Sequence, residues 1–218
     1  MAIEAGQVFS IAADNQPVPG CTISKALLEG ADGAVIVFSM AAGTEISSEN
    51  YQTKKLYWVL DGAMEVMIQG KTSRPLTKNE ALWTPVNVPV GTSTSNGAVY
   101  LEIAPERIEN MNELKAGEIF ELASLVPYQE GAIINRDVLK TPGMKFAVMS
   151  FDDNTGLSEH AAPGNALVFA LEGEATITYE GVPHVIHAGE QMLFAKNGRH
   201  AIQANSKFKM ALLISLEQ

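Results

Sequence analysis

The chain has little with which to grip nucleic acid, cross a membrane or cross-link itself. Its 15 Lys and Arg are outnumbered by 25 Asp and Glu, a net charge of −10. A surface of that sign repels phosphate backbones and anionic bilayers, so no nucleic acid and no membrane partner is expected. No apolar run approaches the roughly 20 residues of a spanning helix. The lone cysteine, Cys21, excludes an intramolecular disulfide and is expected to pack as a small apolar residue. The opening MAIEAGQVFS has neither the basic start nor the apolar core of a signal peptide, so a cytoplasmic location is expected. A phosphate-cradling glycine loop, a nucleophile-elbow serine and a paired-cysteine knuckle are all missing.

What the chain does have is an internal repeat. At an offset of 111, Ala5-Gly6-Gln7-Val8-Phe9 falls on Ala116-Gly117-Glu118-Ile119-Phe120, and Leu60-Asp61-Gly62 falls on Leu171-Glu172-Gly173. After one deletion the offset becomes 110, and Glu80 meets Glu190 while Asn87 meets Asn197. A period this long is one folding unit used twice, each the size of a small domain. The expected division is residues 1–104, a polar joint at 105–115, and residues 116–218.

Short apolar runs recur in both copies between turn signals such as Asp61-Gly62, Glu172-Gly173 and Asn197-Gly198. Ala34–Met40, Leu56–Leu60, Met64–Ile68 and Val99–Ile103 in copy one answer to Phe146–Phe151, Ala166–Leu171, Ala175–Tyr179 and Lys209–Leu216 in copy two. Many short strands at regular spacing, with glycine between them, imply a sandwich or barrel. The expectation is all-β: two tandem antiparallel barrels. Met144, Met149, Met192 and Met210, with Phe151, Phe169 and Phe194, are assigned to the core of copy two. The stripe Leu167, Phe169, Leu171 should lie on the opposite face of its strand from Ala166, where it could pack between sheets or between barrels.

Only copy two carries histidines at two telling positions. His160 lies in the segment from Gly156 to Gly173, and His200 closes the segment that begins at Gly189. These two segments resemble the two conserved motifs of the cupin superfamily, small jelly-roll barrels, and the doubling resembles a bicupin. The resemblance implies a metal site of two histidines and a glutamate from the first motif and one histidine from the second. Carried over by position, those sites are His160, Ala162, Ala166 and His200. Two match and two have lost their donor. One reading is a divalent transition metal held by His160 and His200 in the C-terminal barrel only, completed by water or ligand. Asn165 is the nearby donor that could reach the site, because Glu159 should point to the opposite face of its strand. The other readings are a metal-free binding or proton-transfer role, and a vestigial pair. Asn165 and Arg199 are the candidate substrate contacts.

Copy one shows the equivalent positions as Glu49, Tyr51, Lys55 and Val90. A lysine repels a cation and a valine cannot ligate one, so copy one should be a metal-free scaffold or a dimerisation partner. Glu49 and Lys55 are candidates for an ion pair inside that barrel, or for solvent-facing charges. His184 and His187, three apart on an expected strand, should lie on opposite faces and form no site. Two functional classes follow. One is a non-catalytic protein that binds a small polar molecule. The other is a metal-dependent isomerase, lyase or oxygenase acting on a small carbonyl compound or sugar acid. A homodimer is a further possibility, since jelly-roll barrels can pair through exposed sheet edges.

Overall fold

A computed structural model describes residues 3–30, 33–106, 110–111 and 114–216. Strands dominate, and every strand pair among the described residues is antiparallel. The helices among the described residues are one four-residue turn, Ile11–Asp14, and a 3-10 turn, Ala123–Leu125. The chain forms two compact units, each with its own core.

The N-terminal unit has one sheet in the order Ile119–Glu121, Glu80–Trp83, Leu56–Ile68, Ala98–Pro105, Gly33–Met40, Thr22–Gly30. Its second layer pairs Thr44–Asn50 with Pro89–Thr94, then with the far half of Leu56–Ile68 and with Lys71–Thr72. The C-terminal unit repeats this arrangement. Val8–Phe9, Gln191–Phe194, Asn165–Glu172, Phe208–Ser215, Met144–Phe151 and Ile133–Lys140 follow one another, with Asn110–Met111 at the end. Its second sheet is Gly156–Ala161, Arg199–Ala204, Glu174–Tyr179, Val182–His187. Moved by the repeat offset, the first six strands of one order become those of the other. Two sheets enclosing one core in this order make a jelly-roll barrel.

Strand alternation places the cores. On Asn165–Glu172, Ala166, Val168 and Ala170 join a cluster with Ile177, Ile186 and Ile202 of the second sheet. Leu167, Phe169 and Leu171 point the other way and are buried as well. A strand buried on both faces reads as a continuous apolar run, as this one does. Phe151, Met192, Phe194 and Met210 lie in the core, as expected.

Two local expectations are corrected. Asp61-Gly62 is not a turn: one strand, Leu56–Ile68, runs through it. Gly62 has φ +73°, and a Cβ there would sit 2.2 Å from the carbonyl oxygen of Gly97. Only glycine can take that bend, which carries the strand from one sheet to the other. Gly173 repeats it in copy two, at φ +73° and 2.0 Å from the oxygen of Lys207. Cys21 is exposed rather than packed, because it precedes Thr22–Gly30, the edge strand of its sheet.

Candidate functional site

The two histidines are direct cross-strand partners. Gly156–Ala161 pairs with Arg199–Ala204 so that His160 faces His200, just after a register shift between Leu157 and His160. The N-terminal unit shows the same geometry with different residues: Glu49 faces Val90 after a shift between Ile46 and Glu49. The repeat register read from sequence is therefore the register of the strands.

The imidazole rings lie 4.2 Å apart, centroid to centroid. His160 is exposed and His200 is buried at 5% relative exposure, so the pair runs from surface to interior. Behind His200 the stack continues: Phe194 lies 4.0 Å away at an interplanar angle of 24°, and Tyr179 lies 5.6 Å beyond Phe194 at 11°. Phe194 is thus both core and the backing of His200. Sequence patterning detects the first role only.

Each ring is oriented by the carbonyl two residues before it. Nδ1 of His160 lies 2.8 Å from the Ser158 carbonyl, and Nδ1 of His200 lies 3.1 Å from the Gly198 carbonyl. A carbonyl can only accept, so Nδ1 carries a proton in both rings, and in a neutral ring the lone pair is left on Nε2. Burial pushes the pKa of His200 below its ordinary value; the Gly198 hydrogen bond opposes this and a charge on His160 would add to it. Near neutral pH His200 is therefore an acceptor at Nε2.

The donor set does not reach that of a firm divalent site. Ala162 and Ala166, at the other two ligand positions, are each 2% exposed and offer no lone pair. Among the described residues no three His, Cys, Asp or Glu side chains converge to hold an ion. Two imidazoles fall short of the three or four protein ligands such sites use.

The remaining candidates sit around the pair. Asn165 opens its strand, and its Oδ1 accepts a hydrogen bond from the Lys196 backbone at 3.1 Å, which ties down the loop leading to His200. Arg199 is exposed, pairs through its guanidinium with Glu159, and donates from its backbone N–H to Glu180 at 2.6 Å. Glu159 is thereby engaged beside the histidines. His184 and His187 lie on the strand Val182–His187, with exposed His187 held between Glu174 and Glu190. In the N-terminal unit, Lys55 pairs with Glu102 at 2.8 Å and not with Glu49. Glu102 is the cross-strand partner of Tyr57, whereas Glu49 lies on an exposed stretch of its strand.

The jelly-roll fold of both units is that of the cupin barrels, and the sequence likeness to that family lies in the C-terminal unit. The family model described as "Cupin domain" matches residues 147–216. Among solved structures, the chain resembles a Cupin 2 conserved barrel domain protein from Leptotrichia buccalis, with 25% identity, TM-score 0.86 and 98% of both chains covered. It also resembles a salicylate 1,2-dioxygenase from Pseudoaminobacter salicylatoxidans, solved as adducts with gentisate. There the identity is 9%, the TM-score 0.62, and the coverage 88% of this chain and 73% of the other. A third likeness is to protein Ylba from E. coli, at 13% identity and TM-score 0.61, covering 98% and 92%. The latter two show a shared fold alone. No curated protein sequence matches the chain.

Proposed function

We propose that the protein is a bicupin that binds a small polar molecule, and that His160 and His200 of the C-terminal barrel recognise it. The observation that carries this reading is the oriented pair, 4.2 Å apart, with both Nδ1 atoms held by carbonyls. Two neighbouring Nε2 acceptors suit a ligand bearing hydroxyl groups. The Phe194–Tyr179 stack holds the buried ring in place before any ligand arrives, which lowers the ordering cost of binding. Asn165 would contribute through the loop it anchors, and Arg199, paired with Glu159, would be the cation offered to an anionic ligand group.

The second reading is a metal-dependent isomerase, lyase or oxygenase acting on a small carbonyl compound or sugar acid. Its support is the tautomer: both histidines leave Nε2 free, as a ligating imidazole must. A metal would need its remaining ligands from water or substrate.

The test titrates chelator-treated full-length protein with gentisate, salicylate and small sugar acids while NMR follows the imidazole resonances. Our reading expects both histidines to shift on binding, and expects His160→Ala and His200→Ala to weaken binding by about tenfold or more. A compound that binds without moving either ring overturns it. If shifts appear only once a divalent metal is added, and elemental analysis finds that metal lost in both variants, the second reading replaces it.

A further inference from the structure

The N-terminal barrel, whose metal-ligand positions are erased, contains a cavity of about 180 Å³ beside those positions. Lys55 and Tyr51 line it, and in the repeat register they stand where copy two has Ala166 and Ala162. The polar groups are built in rather than loosely placed. Lys55 Nζ lies 2.8 Å from Glu102, whose side chain is 6% exposed, and 3.9 Å from the centroid of the Tyr51 ring. Tyr57 donates to the Tyr51 hydroxyl at 3.1 Å. Tyr100, edge-on to Tyr57 at 5.6 Å and stacked on Phe38 at 5.0 Å, completes an aromatic wall. Burial raises the pKa values of Tyr57 and Tyr100 far above the phenol range, so both stay protonated.

The charge pattern selects the ligand. The Lys55 ammonium is neutralised by Glu102, and exposed Glu49 adds a second carboxylate to the lining. An anion would meet more negative than positive charge. A cation would meet an aromatic wall whose nearest ring, Tyr51, already faces Lys55. An uncharged hydroxylated compound meets neither penalty. An ammonium has three donors and a carboxylate about four acceptor positions, so the pair keeps hydrogen-bonding capacity beyond their mutual contact. The aromatic rings suit the C–H faces of such a compound. The volume lies below the roughly 300–1,000 Å³ of drug-sized sites, so the ligand is of monosaccharide size or smaller.

We infer that the N-terminal cavity is a second, metal-independent binding site, in which the Lys55–Glu102 pair and Tyr51 recognise a small uncharged polyol. The Lys55 ammonium, standing where copy two has Ala166, supplies the hydrogen-bond donors.

The test uses chelator-treated full-length protein and saturation-transfer NMR with three probes: xylitol, its acid counterpart xylonate, and choline. The expected result is transfer to xylitol that persists in a His160→Ala, His200→Ala double variant, which is the background for the cavity variants. Tyr51→Phe removes one hydroxyl from a half-buried ring and keeps the fold; it should weaken xylitol binding by about tenfold. Replacing the ion pair together, Lys55→Met with Glu102→Leu, avoids stranding one charge and should abolish binding. Stronger transfer to xylonate or choline overturns the inference. So does xylitol binding that the histidine variants lose, that both cavity variants retain, or that wild type never shows.

Discussion

At the scale of single residues, the two barrels have put different chemistry on the same lattice of positions. Tyr51, Lys55 and Val90 occupy the places of Ala162, Ala166 and His200, and the strands around them pair in the same register. The histidine pair was legible in the sequence because its positions carry a motif. The Lys55–Glu102 pair was not: its partners are 47 residues apart, Lys55 just before the strand Leu56–Ile68 and Glu102 on Ala98–Pro105, so only folding brings them together. Glu49 was the candidate partner because it and Lys55 stand at the motif's ligand positions, and its strand leaves it exposed. Both tryptophans, Trp58 and Trp83, are buried in the N-terminal unit, so their fluorescence during urea unfolding reports that unit alone. Glu102→Leu alone strands the Lys55 ammonium and should lower its stability by about 2–3 kcal/mol. With 20% of the Lys55 side chain still in contact with water, the cost falls short of that for a fully buried pair. Adding Lys55→Met to that variant should return the midpoint close to wild type. A double variant no more stable than the single one would show that the pair is not coupled.

At the scale of elements, the repeat extends into turn chemistry. Glu80 accepts from the Thr77 backbone N–H at 2.8 Å, and Glu190, its repeat partner, accepts from that of His187 at 2.7 Å. The sequence alignment paired these glutamates without saying why. Each closes the turn into the strand that follows it. Arg74 donates two hydrogen bonds to Glu80, and together with the Thr77 contacts this holds the carboxyl at about 2, below its usual 4.5, despite an opposing effect of burial. A carboxylate whose folded pKa is depressed stabilises the fold above its unfolded pKa, and that contribution drains away as pH falls toward the folded value. Stability should therefore drop between pH 4.5 and about 2, and Glu80→Gln should shallow that drop while lowering stability at neutral pH. Urea midpoints from tryptophan fluorescence across this range decide it. Parallel pH curves for the two proteins would refute the assignment. What sequence reading lost at this scale was Asp61-Gly62, where a turn signal marks a bend inside one continuous strand.

At the scale of the whole molecule, the number of barrels could be read from the repeat, but not where every short strand would pair. Val8–Phe9 pairs with Gln191–Phe194 in the C-terminal unit, and its repeat partner Ile119–Glu121 pairs with Glu80–Trp83 in the N-terminal unit. Hydrophobic pattern marks such residues as strand. It says nothing about which sheet edge receives them, because both copies offer nearly the same edge. The N-terminal arm does more than lengthen a sheet. Gly6 donates to the Leu193 carbonyl at 2.9 Å, Val8 packs on the core, and the arm covers Tyr179, the outer ring of the stack behind His200. Removing residues 1–9 should therefore loosen the C-terminal unit and spare the other. Losing one partly buried valine and two or three backbone hydrogen bonds costs about 1–3 kcal/mol once the freed arm's entropy is counted. Hydrogen exchange should quicken at amides of Gln191–Phe194, and protection in Ala98–Pro105 should stay as in wild type. The tryptophan-reported urea midpoint should not move. Equal loss of protection in both strands would mean that the arm's contribution is not confined to the C-terminal unit. With Tyr179 uncovered, the truncated protein should also weaken any ligand response of His200. That effect separates an arm that supports the site from one that merely closes a sheet edge.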